Sequence, residues 1–193
     1  MIRPVYIVDI IGEAVAGTTA EILPTLITNE QAVAEDGVSL IRTIDYQYGH
    51  RMELIQTLAQ MDKSDEMARE SKYPLVYLVQ DFIETRGKIP GVYAEVSLNI
   101  IIAHQTSNTY KITDRMAKVF KPVLYPIYYT LLDKLADHVQ INEYSEDIII
   151  HQKIDRSYWG TSTVGGNEAN ALNDYVDAIE INNLSLKILY KNC

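Results

Sequence analysis

Val5, Val8, Ile11, Val15, Thr18 and Ile22 recur at spacings of three and four, the period of one helix face. The spacing predicts a helix over Val5–Leu23, with Pro24 as its stop. Gly12 and Gly17 weaken that helix and point to close packing along one side. The polar, acidic stretch Asn29–Gly37 reads as a loop. Alternation then takes over. Val38, Leu40, Arg42, Ile44, Tyr46 and Tyr48 share one face of a strand that ends at Gly49. Met52, Ile55, Leu58 and Met61 mark a short helix, and Asp62–Lys72 is a charged linker.

Pro74–Phe82 is almost unbroken apolar sequence, so its strand, Leu75–Phe82, is expected to be central and covered on both faces. Ile83–Gly91 contains Arg86, Gly87, Lys88 and Pro90 and reads as an extended hairpin loop. Val92–His104 alternates most clearly, with Val92, Ala94, Val96, Leu98, Ile100 and Ile102 on one side. Thr109–His138 is a long helical region. Pro122 and Pro126 each remove a hydrogen bond and clash with the preceding turn, so a break is expected there. Glu146–Ile154 is a further strand and Asp155–Asp174 a long loop. Val176–Tyr190 closes the chain. Its apolar phase shifts from odd to even positions at Asn182 and Asn183, as a β-bulge would produce.

The order α-β-α-β-β-α-β-β predicts an α+β protein, with a mostly antiparallel five-stranded sheet and helices packed on one face. Residues 1–193 form a single expected domain, with long loops at 83–91 and 155–174. Leu98, Ile100 and Ile102 are the expected centre of the core, against the apolar stripe of the Thr109–His138 helices.

At 193 residues, 47% apolar and 22% charged, the chain is long enough to bury about 70% of its unfolded surface. Its 17 Lys and Arg against 26 Asp and Glu leave a net charge of −9, which disfavours gripping a phosphate backbone. A single cysteine, Cys193, excludes an intrachain disulfide or a multi-cysteine zinc site. No window approaches the roughly 20 apolar residues of a membrane span. Met1–Pro4 does not open a secretion signal. A soluble intracellular protein without membrane contact is therefore expected. Tyrosine is in excess, 14 against 2 Phe and 1 Trp. That suits subunit interfaces and, equally, the ordinary preference of Tyr for strands.

Little of the chain promises chemistry. Gly160–Asn167 has the glycine spacing of a phosphate loop, but Gly166 and Asn167 stand where Lys and Ser/Thr are required. His50, His104, His138 and His151 show no metal-ligand spacing. His151 could share a strand face with Asp147, the one pair that would support an enzyme. No Gly-x-Ser-x-Gly nucleophile elbow exists. Asn183-Leu184-Ser185 matches a glycosylation sequon but lies within a strand. The expectation is no catalytic residue, no cofactor and no metal.

The layout resembles a known group. It runs from a leading helix and a tyrosine-bearing strand to the Lys72–Leu78 strand (KYPLVYL). The long hairpin to Tyr93–Ile100, the Tyr110–Arg115 helix start and the closing Ile179–Leu189 strand complete it. This is similar to the tail-terminator and neck-ring (head–tail joining) proteins of tailed bacteriophages, in the version carried by phages of Bacteroides-like gut bacteria. The resemblance covers most of the chain and implies a homo-oligomeric ring in the virion neck or tail, made in the host cytoplasm. It also implies neighbouring neck, portal and tail proteins as partners, and DNA only as passing cargo. It brings no catalytic residues. Arg86 and Lys88 at one loop tip, and Tyr158 and Trp159 in the other loop, are the candidate interface residues. The competing expectation is a small oligomeric cytoplasmic protein that binds a ligand or regulates.

Overall fold

The segment of strongest alternation becomes the middle strand of the sheet, and the Pro74–Phe82 run, expected there, lies beside it. The computed structural model describes residues 6–34, 37–61, 72–86, 93–138, 141, 149–159 and 175–189. Its elements begin with α1 (Ile7–Val33), β1 (Asp45–Gly49), α2 (Arg51–Met61), β2 (Leu75–Arg86) and β3 (Tyr93–Gln105). They continue with α3 (Ile112–Arg115), a π-helical stretch (Met116–Leu124), α4 (Tyr125–Ala136), β4 (Gln152–Arg156) and β5 (Val176–Leu189). The strands lie in the order β1-β2-β3-β5-β4. Only β1 and β2 are parallel. A parallel pair needs a crossover, which α2 supplies. The fold is α+β with a mostly antiparallel five-stranded sheet.

Val96, Leu98, Ile100 and Ile102 of β3 point into the main core, beside Val76 and Leu78 of β2 and Ile179, Ile181, Leu184, Leu186 and Ile188 of β5. Helix α1, the π stretch and α4 cover this face. Leu98, Ile100 and Ile102 are at most 1% exposed, as their shared face predicts. The opposite face carries a smaller cluster in which Leu54 and Leu58 of α2 pack with Leu75, Tyr77, Val79, Ile101, Ala103, Val176 and Ala178. Burial from both sides accounts for the unbroken apolar run in β2. The bulge falls where the phase shift predicts it. Between the pairs Leu98↔Leu184 and Ile100↔Ile181, Asn99 alone opposes Asn182 and Asn183. Asn183 has φ 54°, and its N–H donates to Asn99 Oδ1 at 3.0 Å.

Several boundaries differ from the sequence expectation. Helix α1 does not stop at Pro24 but runs through it to Val33, taking in much of the expected 29–37 loop. A proline inside a helix costs about 3 kcal/mol. Leu26 is fully buried beyond it, and Ile22, Leu23 and Ile27 pack on the core. Side chains of this kind contribute about 1.5–3 kcal/mol each when fully buried, so packing wins. By length and composition α1 is also apolar enough to cross a membrane, contrary to the reading that no window comes near. In this fold Ile7, Ile10, Ile11, Ala14, Val15 and Thr18 turn that apolar stripe into the protein. Gly12 and Gly17 do mark close packing: a Cβ there would meet the Tyr46 ring at 3.1 Å and Lys134 Cδ at 3.4 Å.

The expected strand Val38–Tyr48 is a ladder only from Asp45. Its first part pairs with no described strand, and Glu30 occupies its donors. Glu30 Oε2 accepts from the Ser39 hydroxyl, from Leu40 N–H at 2.9 Å and from Ile41 N–H at 3.1 Å. Those groups therefore need no neighbouring strand. Strand β2 continues to Arg86, through four residues read as loop, after a register shift between Val79 and Ile83. Strand β4 is Gln152–Arg156, so Asp155 and Arg156 belong to a strand and not to the long loop. Residues 142–148, 160–174 and 87–92 lie outside the described residues.

The break expected in the long helical region is a change of helical register. Met116–Leu124 is π-helical with Pro122 inside it, and Pro126 falls in the first turn of α4. Pro126 has no N–H for the Pro122 carbonyl four residues earlier. Asn29 of α1 supplies that donor instead, from Nδ2 at 3.1 Å.

Candidate functional site

The two aromatic residues singled out in the sequence sit in the turn that follows the edge strand β4, and they go to opposite faces of the sheet. Tyr158 holds the left-handed conformation, φ 53°, which a non-glycine residue adopts only when its surroundings impose it. Its N–H donates to Asp177 Oδ1 at 3.1 Å and its hydroxyl to the Asn108 carbonyl at 3.2 Å. The guanidinium carbon of Arg115 lies 3.4 Å from the centre of the Tyr158 ring, a cation–π stack.

Arg115 and Asp177 are the charged centre of this region. They are 2% and 0% exposed and form a direct ion pair through Arg115 Nη1 and Asp177 Oδ1. Arg115 also donates from Nη2 to the Ser107 carbonyl at 3.0 Å and from Nε to the Tyr110 carbonyl at 3.2 Å. One side chain thereby joins the start of α3, the segment after β3, the start of β5 and the turn after β4. Such a pair is strongly destabilising when one member is lost, because the other is left charged and buried.

Trp159 packs on the second cluster, half-buried. Its N–H donates to the Val176 carbonyl at 2.7 Å, and its indole Nε1 to Glu180 Oε1 at 3.1 Å. Glu180, itself buried, also accepts from Arg156 Nε at 3.0 Å. Both aromatic residues are thus oriented by carboxylates of β5, and each keeps part of its surface in solvent.

Arg86 is the last residue of β2, opposite Ala94, and donates to Glu84 Oε1 at 2.8 Å on the exposed surface. Lys88 lies outside the described residues, as does the glycine-rich stretch 160–167. Asp147 does too, so its expected pairing with His151 falls outside the described residues. His151 is instead held by Tyr128. Its Nδ1 is 2.8 Å from the Ile149 carbonyl, which can only accept, so that nitrogen carries the hydrogen. Nε2 then accepts from the Tyr128 hydroxyl at 2.6 Å. Lys153 lies 4.5 Å from the centre of the Tyr125 ring and forms a direct ion pair with Asp155. Burial, reinforced by Asp155, pushes the Tyr125 hydroxyl up to about 12. Among the described residues no three His, Cys, Asp or Glu side chains are placed to hold a metal ion.

A second polar knot joins Glu30 to His104, whose Nε2 is 3.4 Å from Glu30 Oε1. Burial raises the Glu30 carboxyl, but the hydrogen bonds of His104 and Ser39, the charge of His104 and the Ile41 N–H together hold it below its ordinary value. The sequence reading passed over Arg115, Asp177, Glu180 and Glu30. The available signal was acidic residues inside an otherwise apolar strand, Val176–Ile181 (VDAIEI), since carboxylates are buried only with partners.

No family model, no curated protein and no solved structure matches the chain.

Proposed function

We propose that this protein is a structural subunit of a phage virion, forming a homo-oligomeric ring at the neck or tail that joins portal or neck to tail while DNA passes through. The observation that carries the reading is the pair of unlike sheet edges. At one edge, β1 runs parallel to its neighbour; at the other, β4 runs antiparallel to its own. Each is five residues long. Two different edges on one protomer suit a head-to-tail contact, and a head-to-tail contact that closes gives a ring. Near the β1 edge, Val38, Leu40 and Tyr48 are 51%, 55% and 54% exposed, apolar surface of the kind that marks contact sites. The net charge of −9 suits a channel that repels a passing duplex.

The candidate contacts to neighbouring proteins are Arg86, Lys88, Tyr158 and Trp159. Sedimentation and electron microscopy of the purified full chain test the reading. Rings, or assembly that grows with concentration, are expected. A monomer or tight dimer at every concentration, with a small molecule retained in native mass spectrometry, would favour the ligand-binding alternative. Arg86→Glu probes the contact separately. Arg86 is an exposed strand-end residue, so the variant is expected to melt like the parent and to assemble less.

A further inference from the structure

Three buried polar atoms on the main-core face have no hydrogen-bond partner: His104 Nδ1, Thr106 Oγ1 and Asp177 Oδ2. Their positions are adjacent. His104 and Asp177 are direct partners in the β3–β5 ladder. Thr106 N–H donates to the Tyr175 carbonyl at 2.7 Å, so the ladder continues and Thr106, two residues beyond His104, lies on the same face. Directly opposed side chains in such a ladder have Cβ atoms about 4.5–5.5 Å apart, and diagonal ones about 7–8 Å. Two hydrogen bonds of about 2.8 Å through one water span gaps of that order.

We propose that this end of the sheet holds an internal hydration site, in which ordered water hydrogen-bonds Asp177 Oδ2, His104 Nδ1 and Thr106 Oγ1. The chemistry matches water. Asp177 Oδ2 is an acceptor, because Oδ1 already receives Arg115 and the Tyr158 N–H. His104 Nε2 faces Glu30 Oε1, so Nε2 carries a hydrogen, and Nδ1 pairs with water as donor when the ring is charged and as acceptor when it is neutral. The Thr106 hydroxyl can donate. A water molecule offers two hydrogens and accepts in return, which meets all three needs at once. Among the described residues no three His, Cys, Asp or Glu side chains are placed to hold a metal ion here. The site lies behind the Arg115–Asp177 pair, so its water also completes the carboxylate that orients Tyr158. This inference does not depend on the ring reading.

The test is a crystal structure of the full chain at a resolution that shows ordered water, with water-to-protein cross-relaxation measured by NMR. Expected are density within hydrogen-bond distance of at least two of the three atoms, and a long-lived water signal at the His104 ring. A dry site, with His104 or Thr106 turned to bond Asp177 Oδ2 directly, would overturn the proposal. So would density for a species other than water. Thr106→Val is expected to weaken the water signal and lower the melting temperature by about 2–4 °C. An unchanged signal in that variant also counts against the site.

Discussion

The two ends of the sheet are built differently, although the same three strands run through both. At one end, Leu75–Val79, Ile100–Ala103 and Val176–Ile181 are buried on both faces, under α1 and the π stretch on one side and α2 on the other. This end also holds the buried charges Arg115, Asp177 and Glu180 and the His104–Glu30 contact. At the other end, Val96, Leu186 and Ile188 face the core, while Glu95 and Lys187 on the opposite side meet solvent. The comparison teaches where charge can be afforded. On the open end it sits in water and contributes little. On the closed end every charge needs a designed partner, and its loss costs the fold.

Five substitutions break or sharpen that contrast. Ile100→Asp places an unpaired charge in the main core, on a side chain with no exposed surface. It should cost more than about 4 kcal/mol and leave the chain insoluble or unfolded. A soluble variant with the parent melting temperature would refute the assignment. Arg115→Met strands the Asp177 carboxylate and should cost about 3–5 kcal/mol in denaturant unfolding. Adding Asp177→Asn to it should recover part of that loss, since the stranded charge is then gone. A double variant as unstable as the sum of the single ones would show the two side chains to be independent.

Glu30→Gln should cost about 1–2 kcal/mol at neutral pH, through weakened bonds to the 39–41 segment and His104. The Glu30 carboxyl is held below its ordinary value of 4.5. Its stabilisation is therefore present above that value and is lost as pH falls through the lower folded one. The stability difference between parent and variant should shrink as pH drops below about 4.5, and a gap independent of pH would sink the clamp. Lys187→Ala tests the open end. Lys187 Nζ is 3.8 Å from Glu95 Oε1 and both side chains are exposed, so the effect should stay within about 0.5 kcal/mol.

Much of this architecture is legible in the residues. The alternation from Ala94 to Leu98, and the change to an unbroken apolar run at Ile100–Ala103, mirror the change from one covered face to two. The phase slip at Asn182 and Asn183 announces the bulge. Pro122 and Pro126 announce a disturbed helix, though not that it takes the π register or that Asn29 supplies the missing donor. The candidate aromatic residues of the second loop were visible as residue types, but their orientation depends on Asp177 and Glu180, some 20 positions away.

By itself the sequence determined the α+β class, the two-sided cover of β2 and the shared core face of Leu98, Ile100 and Ile102, because period-two and helical spacing encode which face seeks cover. Only the tertiary structure decided how far α1 runs, where β1 begins and which charges are buried. Each of those depends on a partner distant along the chain. Leu26 and its neighbours outweigh Pro24 through packing on the core, Glu30 takes the donors that would otherwise seek a strand, and Asp177 enters the interior only because Arg115, 62 residues away, meets it there.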